Sequence, residues 1–134
     1  MARAFLDTDV LLYLLSADAA KADRAEAVLA EGGVISVQVL NEFATVATRK
    51  LKAPWIVVRE ILDTVSGVVE IEPLTQQTHL LALDIAERHR LGVYDACILA
   101  AASLAGCDAV LSEDMQHGFQ LPGGPEVRNP FQGA

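Results

Sequence analysis

Asp7, Glu42, Asp95 and Asp114 are far apart in the chain, yet each stands in an apolar stretch where a strand is about to end or a helix has just begun. Asp7 closes the run ARAFL, Glu42 interrupts the apolar face of VISVQVLNEFATVA, Asp95 opens DACILAAASLA, and Asp114 follows AVLS. Carboxylates distributed in this way build a cation cage if the fold gathers them. Two of them ~4 Å apart repel by about 4 kcal/mol at an effective dielectric of ~20, so a cluster must be neutralised by protons or by metal. With oxygen ligands only and no Cys or His in the set, the expected ion is hard, Mg²⁺ or Mn²⁺ rather than Zn²⁺.

Singly, most of these acids have a plainer role. Asp7 suits the N-cap of a DVLLYLL helix, Asp95 complements a helix N-terminus, and Asp114 is an ordinary turn residue. Glu42 is harder to dismiss. It lies beside the stripe Val39, Phe43 and Val46, and its neighbours three and four positions away, Gln38, Val39, Thr45 and Val46, include no cation to pair a buried charge. His79 and His89 are ten apart and lack ligand-spaced neighbours, while His117 in SEDMQHG either touches substrate or decorates a loop.

The elements that must position these groups alternate between strand and helix. Residues 2–6 read as a buried strand, 9–16 as a helix entered through Asp7 and Thr8, and AAKADRAEAVLAEGG as an amphipathic helix stopped at Gly32 and Gly33. VIS is a second strand, after which Ser36 caps a helix to about Lys50. Pro54 suits the first turn of a helix over 54–65, VVEIE is a third strand, and Thr75 caps a helix to about His89. Gly92 precedes the Asp95 helix, AVLS is a fourth strand, 122–125 a loop, and EVRN a short fifth strand. Strands separated by helices call for a three-layer α/β/α sandwich with a mainly parallel sheet of four or five strands, whose functional groups collect at the carboxyl ends of the strands. Asp7 and Asp114 fall at that edge, and Glu42 and Asp95 on helices that leave it.

Composition bounds the function classes. The 134 residues suit one domain, 1–134, and 52% hydrophobic residues leave scope for surface buried against a partner such as a homodimer mate. No apolar run is long enough to span a membrane, and the N-terminus lacks signal-peptide order, which makes a cytoplasmic address the expectation. Cys97 and Cys107 are ten residues apart, about 15 Å along a helix, and read as reduced core thiols. A net charge of −8 opposes indiscriminate nucleic-acid binding, but carboxylate-bound ions invert the local field, and Arg49, Lys50 and Lys52 or Arg88 and Arg90 could take phosphates if they are more than solvated helix ends.

FLDTDVLLYLL, ISVQVLNEF, GVYDACILAAASLAGCDAVLSEDMQHG and a closing NPF, in that order over nearly the whole chain, resemble the PIN-domain family, in particular VapC-type toxin ribonucleases of toxin–antitoxin pairs. The resemblance implies metal-assisted hydrolysis of RNA, leaving a 5′-phosphate and a 3′-hydroxyl. Asp7, Glu42, Asp95 and Asp114 would be the catalytic acids, with Asp7 and Asp95 the foremost metal ligands and Thr8 and Ser112 supporting. It also implies a cognate antitoxin, presenting an Arg to the acids in place of metal, and a homodimer. Asp9 departs from the pattern, since many relatives carry Asn or Ser there; it either alters metal affinity or caps the helix. Glu113 is open between spectator and outer-shell group.

Two other classes compete. The DTD at 7–9 suggests a haloacid-dehalogenase-type phosphatase, but Leu11 stands where that motif has Thr or Val. That class, like a receiver domain, needs a late lysine, and the last one here is Lys52. The other is a non-catalytic binding module that keeps the fold and only docks a partner, against which the presence of all four acids speaks.

Overall fold

Short runs of Val, Ile, Leu and Phe bounded by caps and glycines form the strands, and the longer 3.6-periodic stretches form the helices. The computed structural model describes residues 3–132. In chain order the elements are β1 (Ala4–Leu6), α1 (Thr8–Leu12), α2 (Ala19–Ala30), β2 (Val34–Ser36), α3 (Val37–Arg49), α4 (Trp55–Ser66), β3 (Glu70–Glu72), α5 (Gln76–His89), α6 (Val93–Leu104), β4 (Ala109–Leu111) and β5 (Glu126–Arg128). A 3₁₀ turn over Tyr13–Leu15 follows α1 directly, so the single helix expected over 9–16 is broken near its middle. The expected start of β1 at residue 2 lies outside the described residues.

All five strands pair in parallel, in the order β3-β2-β1-β4-β5, and helices cover both faces to give the expected three layers. Phe5, Val34, Val110 and Val127 share one face in register, each no more than 1% exposed. At the edge, β3 carries exposed Glu70 with Glu72, charges that discourage pairing with another chain.

Local signals hold at most boundaries. Ser36 caps α3 by accepting from the Val39 amide, and Thr75 and Thr78 form a reciprocal capping box on α5. Pro54 is the N-cap of α4 rather than its first residue, α6 begins two residues before Asp95, and α5 stops through Arg90 in the left-handed conformation, not through a glycine. The buried stripe of α3 runs Val39, Phe43 and Ala47, so Val46 is turned partly to solvent.

Gly33 leads into β2 with φ +132°, and a Cβ there would lie 2.6 Å from the Ala4 carbonyl oxygen of the neighbouring strand. Gly33→Ala should therefore destabilise the fold by about 2–3 kcal/mol, readable as a lower urea midpoint at unchanged m-value.

Candidate functional site

The chain leaves β1 towards β2 on one side and returns to β4 on the other, which makes the β1/β4 boundary the topological switch point. The Asp7 amide donates to the Leu111 carbonyl at 3.0 Å, continuing the β1–β4 ladder past both strands. Side chains that follow β1 and β4 therefore meet in one crevice.

Asp7 is the N-cap of α1 and is buried where the ends of β1 and β4 meet. Its Oδ1 accepts from the Thr8 amide at 2.7 Å and its Oδ2 from the Ser112 hydroxyl at 2.8 Å. Burial, then the Asp9 charge, with a smaller contribution from Glu42, push its carboxyl up to about 7 against the Ser112 and Thr8 hydrogen bonds. Ser112, fully buried, also accepts from the Met115 amide at 3.2 Å. Ser112→Ala would leave a buried carboxylate oxygen without its donor. The expected cost is about 1–3 kcal/mol in denaturant unfolding near neutral pH, smaller at pH 5, where the Asp7 carboxyl is protonated.

Asp9 neither caps α1 nor faces solvent. Its Oδ2 accepts from the Glu113 and Asp114 amides at 2.8 and 2.9 Å, so it ties the loop after β4 to the first turn of α1. Burial, then the Asp114 charge, push its carboxyl up to about 6 even with those two amides opposing. Its second oxygen and the Thr8 hydroxyl are buried without a hydrogen-bond partner.

Of the other acids, Glu42 acts by charge on Asp7, and Asp114 on both Asp9 and Asp95. Glu42 is half-buried and its Oε1 accepts from Gln38 Nε2 at 2.7 Å, so its register partner is a neutral amide rather than a cation. Asp95, in the first turn of α6, and Asp114 line one small cleft of about 140 Å³ with Leu91, Leu99, Met115 and Phe119. Desolvation and the Asp114 charge raise Asp95. The four acids singled out in the sequence thus stand around one edge of the sheet, and Asp9 joins them.

Glu113 is turned away. It accepts from the Tyr13 hydroxyl, and from Lys21 Nζ at 2.9 Å, and these donors hold it below its ordinary range. Lys21 also meets Tyr13 Oη at 3.0 Å and lies over that ring. No signal in the sequence joins residues 13, 21 and 113, because their contact forms only once the sheet has ordered its strands. His117 accepts the Asn129 amide on Nδ1 and acts as a loop staple. Arg49, Lys50, Lys52, Arg88 and Arg90 make no ion pair among the described residues; Lys52 lies in the loop between α3 and α4, and the others sit at helix ends. Both cysteines are buried free thiols.

As the side chains stand, no three Asp, Glu, His or Cys groups among the described residues converge closely enough to hold an ion. The donor chemistry nevertheless fits one. Carboxylates raised by burial and then by neighbouring acids, with an unpartnered buried oxygen on Asp9, are what a hard divalent cation would relieve.

A parallel three-layer sandwich with acids along the carboxyl edge of its sheet defines the class. The family model described as PIN domain matches residues 4–119, and the chain belongs to that family. No curated relative matches it by sequence. Among solved structures it is similar to a toxin–antitoxin complex from Klebsiella pneumoniae (TM-score 0.72, 21% identity, 96% of this chain and 98% of that one). It is also similar to VapC20 of Mycobacterium tuberculosis, a sarcin–ricin-loop-cleaving toxin (TM-score 0.68, 22% identity, 83% and 89%). A third is VapBC2 of Rickettsia felis bound to a promoter DNA fragment (TM-score 0.66, 19% identity, 94% and 97%). Among the described residues no helix is long and apolar enough to cross a membrane.

Proposed function

We propose that the chain is a Mg²⁺- or Mn²⁺-dependent endoribonuclease acting as the toxin of a type II toxin–antitoxin pair. The observation that carries this reading is that Asp7, Asp9, Glu42, Asp95 and Asp114 stand along one edge of the sheet, where burial and then neighbouring acids raise Asp7, Asp9 and Asp95, and that none of the five pairs with a lysine or arginine among the described residues. Asp7 and Asp95 would be the foremost ligands, with Glu42 and Asp114 completing the catalytic acids directly or through water. A divalent ion bound there would acidify water and stabilise negative charge building on the phosphodiester. The Thr8 amide and the Ser112 hydroxyl hold Asp7, and Asp9 would keep the backbone that carries Asp114 in place for this role.

Partners follow from the same surface. An antitoxin segment crossing the acidic edge would supply an Arg as substitute cation. Exposed Leu80 and Leu83, three apart on α5, supply apolar surface for a homodimer. The toxin role draws further support from the similarity to solved toxins and toxin–antitoxin complexes. A phosphatase has less to recommend it, since Lys21 is committed to Glu113 and Tyr13 rather than to Asp7.

A non-catalytic docking module is the second reading, favoured by the lack of a closed ligand set among the described residues. Calorimetric titration with Mn²⁺ beside a cleavage assay on a mixed RNA pool separates the two. Metal-dependent cleavage supports the ribonuclease; metal binding with no cleavage of any RNA would leave the docking role.

A further inference from the structure

We propose that the groove beside Glu42 is a nucleobase subsite, in which Tyr94 stacks on an unpaired base of the RNA whose backbone lies at the acid cluster. The inference rests on the ribonuclease reading above and names where that site takes hold of a base.

The groove encloses about 400 Å³ between α3, the segment before α5 and the start of α6. Its lining combines an aromatic ring, Tyr94, with apolar Leu74 and Val46 and with the amide and hydroxyl groups of Gln38, Asn41 and Thr45. Gln38, Glu42 and Thr45 follow at helical spacing, so one stripe of α3 forms a polar wall. Tyr94 is 75% exposed, the most exposed large apolar or aromatic side chain among the described residues, although it adjoins Asp95 in the chain. Its backbone is not loose: Gln38 Nε2 donates to the Tyr94 carbonyl at 3.2 Å and to Glu42 at 2.7 Å, so one amide ties the ring-bearing turn to the acid cluster. Val46, which the core would have claimed had the buried stripe followed the pattern read from the sequence, instead lines this groove.

Charge narrows the occupant. Among the described residues the only ionisable side chain lining the groove besides the tyrosine is Glu42, and no lysine or arginine lines it, so a phosphate is repelled there while a neutral heterocycle is not. A planar base with a hydrogen-bonding edge suits a cavity that has a ring, two aliphatic side chains and three neutral polar groups. The backbone phosphate would remain at the acids, and continuity through Glu42 and Gln38 sets the base and the phosphate side by side. Recognition of unpaired RNA commonly works by such stacking, with modest dependence on base identity.

The test uses the full-length protein with Mn²⁺ and a short single-stranded RNA carrying 4-thiouridine. Binding is read by fluorescence anisotropy and contact by photo-crosslinking with peptide mapping. Tyr94→Ala should weaken RNA binding about tenfold and raise KM by a similar factor with kcat changed less than about twofold, whereas Tyr94→Phe, which keeps the ring, should stay within about twofold of wild type. Crosslinks should map to the peptide containing Tyr94, and hydrolysis of methyl p-nitrophenyl phosphate, which has no nucleobase, should be the same in all three proteins. Wild-type RNA affinity in Tyr94→Ala with undiminished crosslinking elsewhere would overturn the subsite while leaving the ribonuclease intact. A shift from dimer to monomer in sedimentation, with RNA affinity per chain unchanged, would also overturn it and assign the face to a second copy. If wild type neither binds nor cleaves any RNA with metal present, the ribonuclease reading falls first and the subsite with it.

Discussion

Asp7→Asn should lower metal-dependent RNA cleavage on the order of a thousandfold, about 4 kcal/mol of transition-state stabilisation. The substitution removes one charge and almost nothing else. An asparagine can accept from the Thr8 amide on its oxygen and donate to the Ser112 hydroxyl through its nitrogen, so both hydrogen bonds of Asp7 are retained with the serine reversed. Ser112 can then direct its own proton to Asp9 Oδ2, 3.5 Å away. What is lost is the central, most deeply buried carboxylate of the cluster, and with it much of the attraction for a divalent ion. Mn²⁺ affinity should drop more than about tenfold in calorimetry while circular dichroism stays that of wild type. Cleavage within a few-fold of wild type would mean that Asp7 holds no metal and only caps α1.

The same variant should be more stable than wild type when metal is absent. Asp7 titrates near 7 in the folded protein against an ordinary 3.8, so between about pH 4 and pH 7 the folded state binds more protons than the unfolded chain. Stability conferred by the protonated form is therefore present at low pH and lost as pH rises through 7. Three units correspond to about 4 kcal/mol at 1.36 kcal/mol each. Some of this is recovered as neighbouring charges relax, and a gain of about 2 kcal/mol is expected for Asp7→Asn in chelator at pH 8. Asp9, pushed to about 6, acts in the same direction over a narrower window. The measurement is thermal unfolding in EDTA from pH 5 to 8. Wild type should lose melting temperature as pH rises, Asp7→Asn should lose much less, and Mn²⁺ should restore the wild-type value at pH 8. A wild-type protein whose metal-free stability rises from pH 5 to pH 8 would show that the acids are too well solvated to repel one another.

Much of the architecture is legible because its causes are local. Ser36 and Thr75 announce helix starts by the hydrogen bonds their own side chains make three residues on. The alternation of short apolar runs with helical periods calls for parallel strands and crossover helices, and five strands in parallel result. The chain departs from its local pattern where a helix is finished by its surroundings. The 9–16 segment tightens into a 3₁₀ turn at Tyr13, whose hydroxyl reaches Glu113 a hundred residues away, and Val46 yields its core position to Ala47.

The site divides along the same line. The residue types and the flanking elements of Asp7, Glu42, Asp95 and Asp114 are properties of the chain, and they suffice to expect oxygen ligands at the carboxyl edge of a parallel sheet. Strand order is not such a property. Only with β4 laid beside β1 does Ser112 reach Asp7 and do the Glu113 and Asp114 amides reach Asp9, contacts spanning more than a hundred residues. That juxtaposition makes Asp9 a tie between the first turn of α1 and the loop after β4, and it sends Glu113 towards Lys21 and away from the other acids. Periodicity and capping act over a few residues and can be read along the chain, whereas the electrostatic identity of a carboxylate depends on which distant groups the sheet sets beside it.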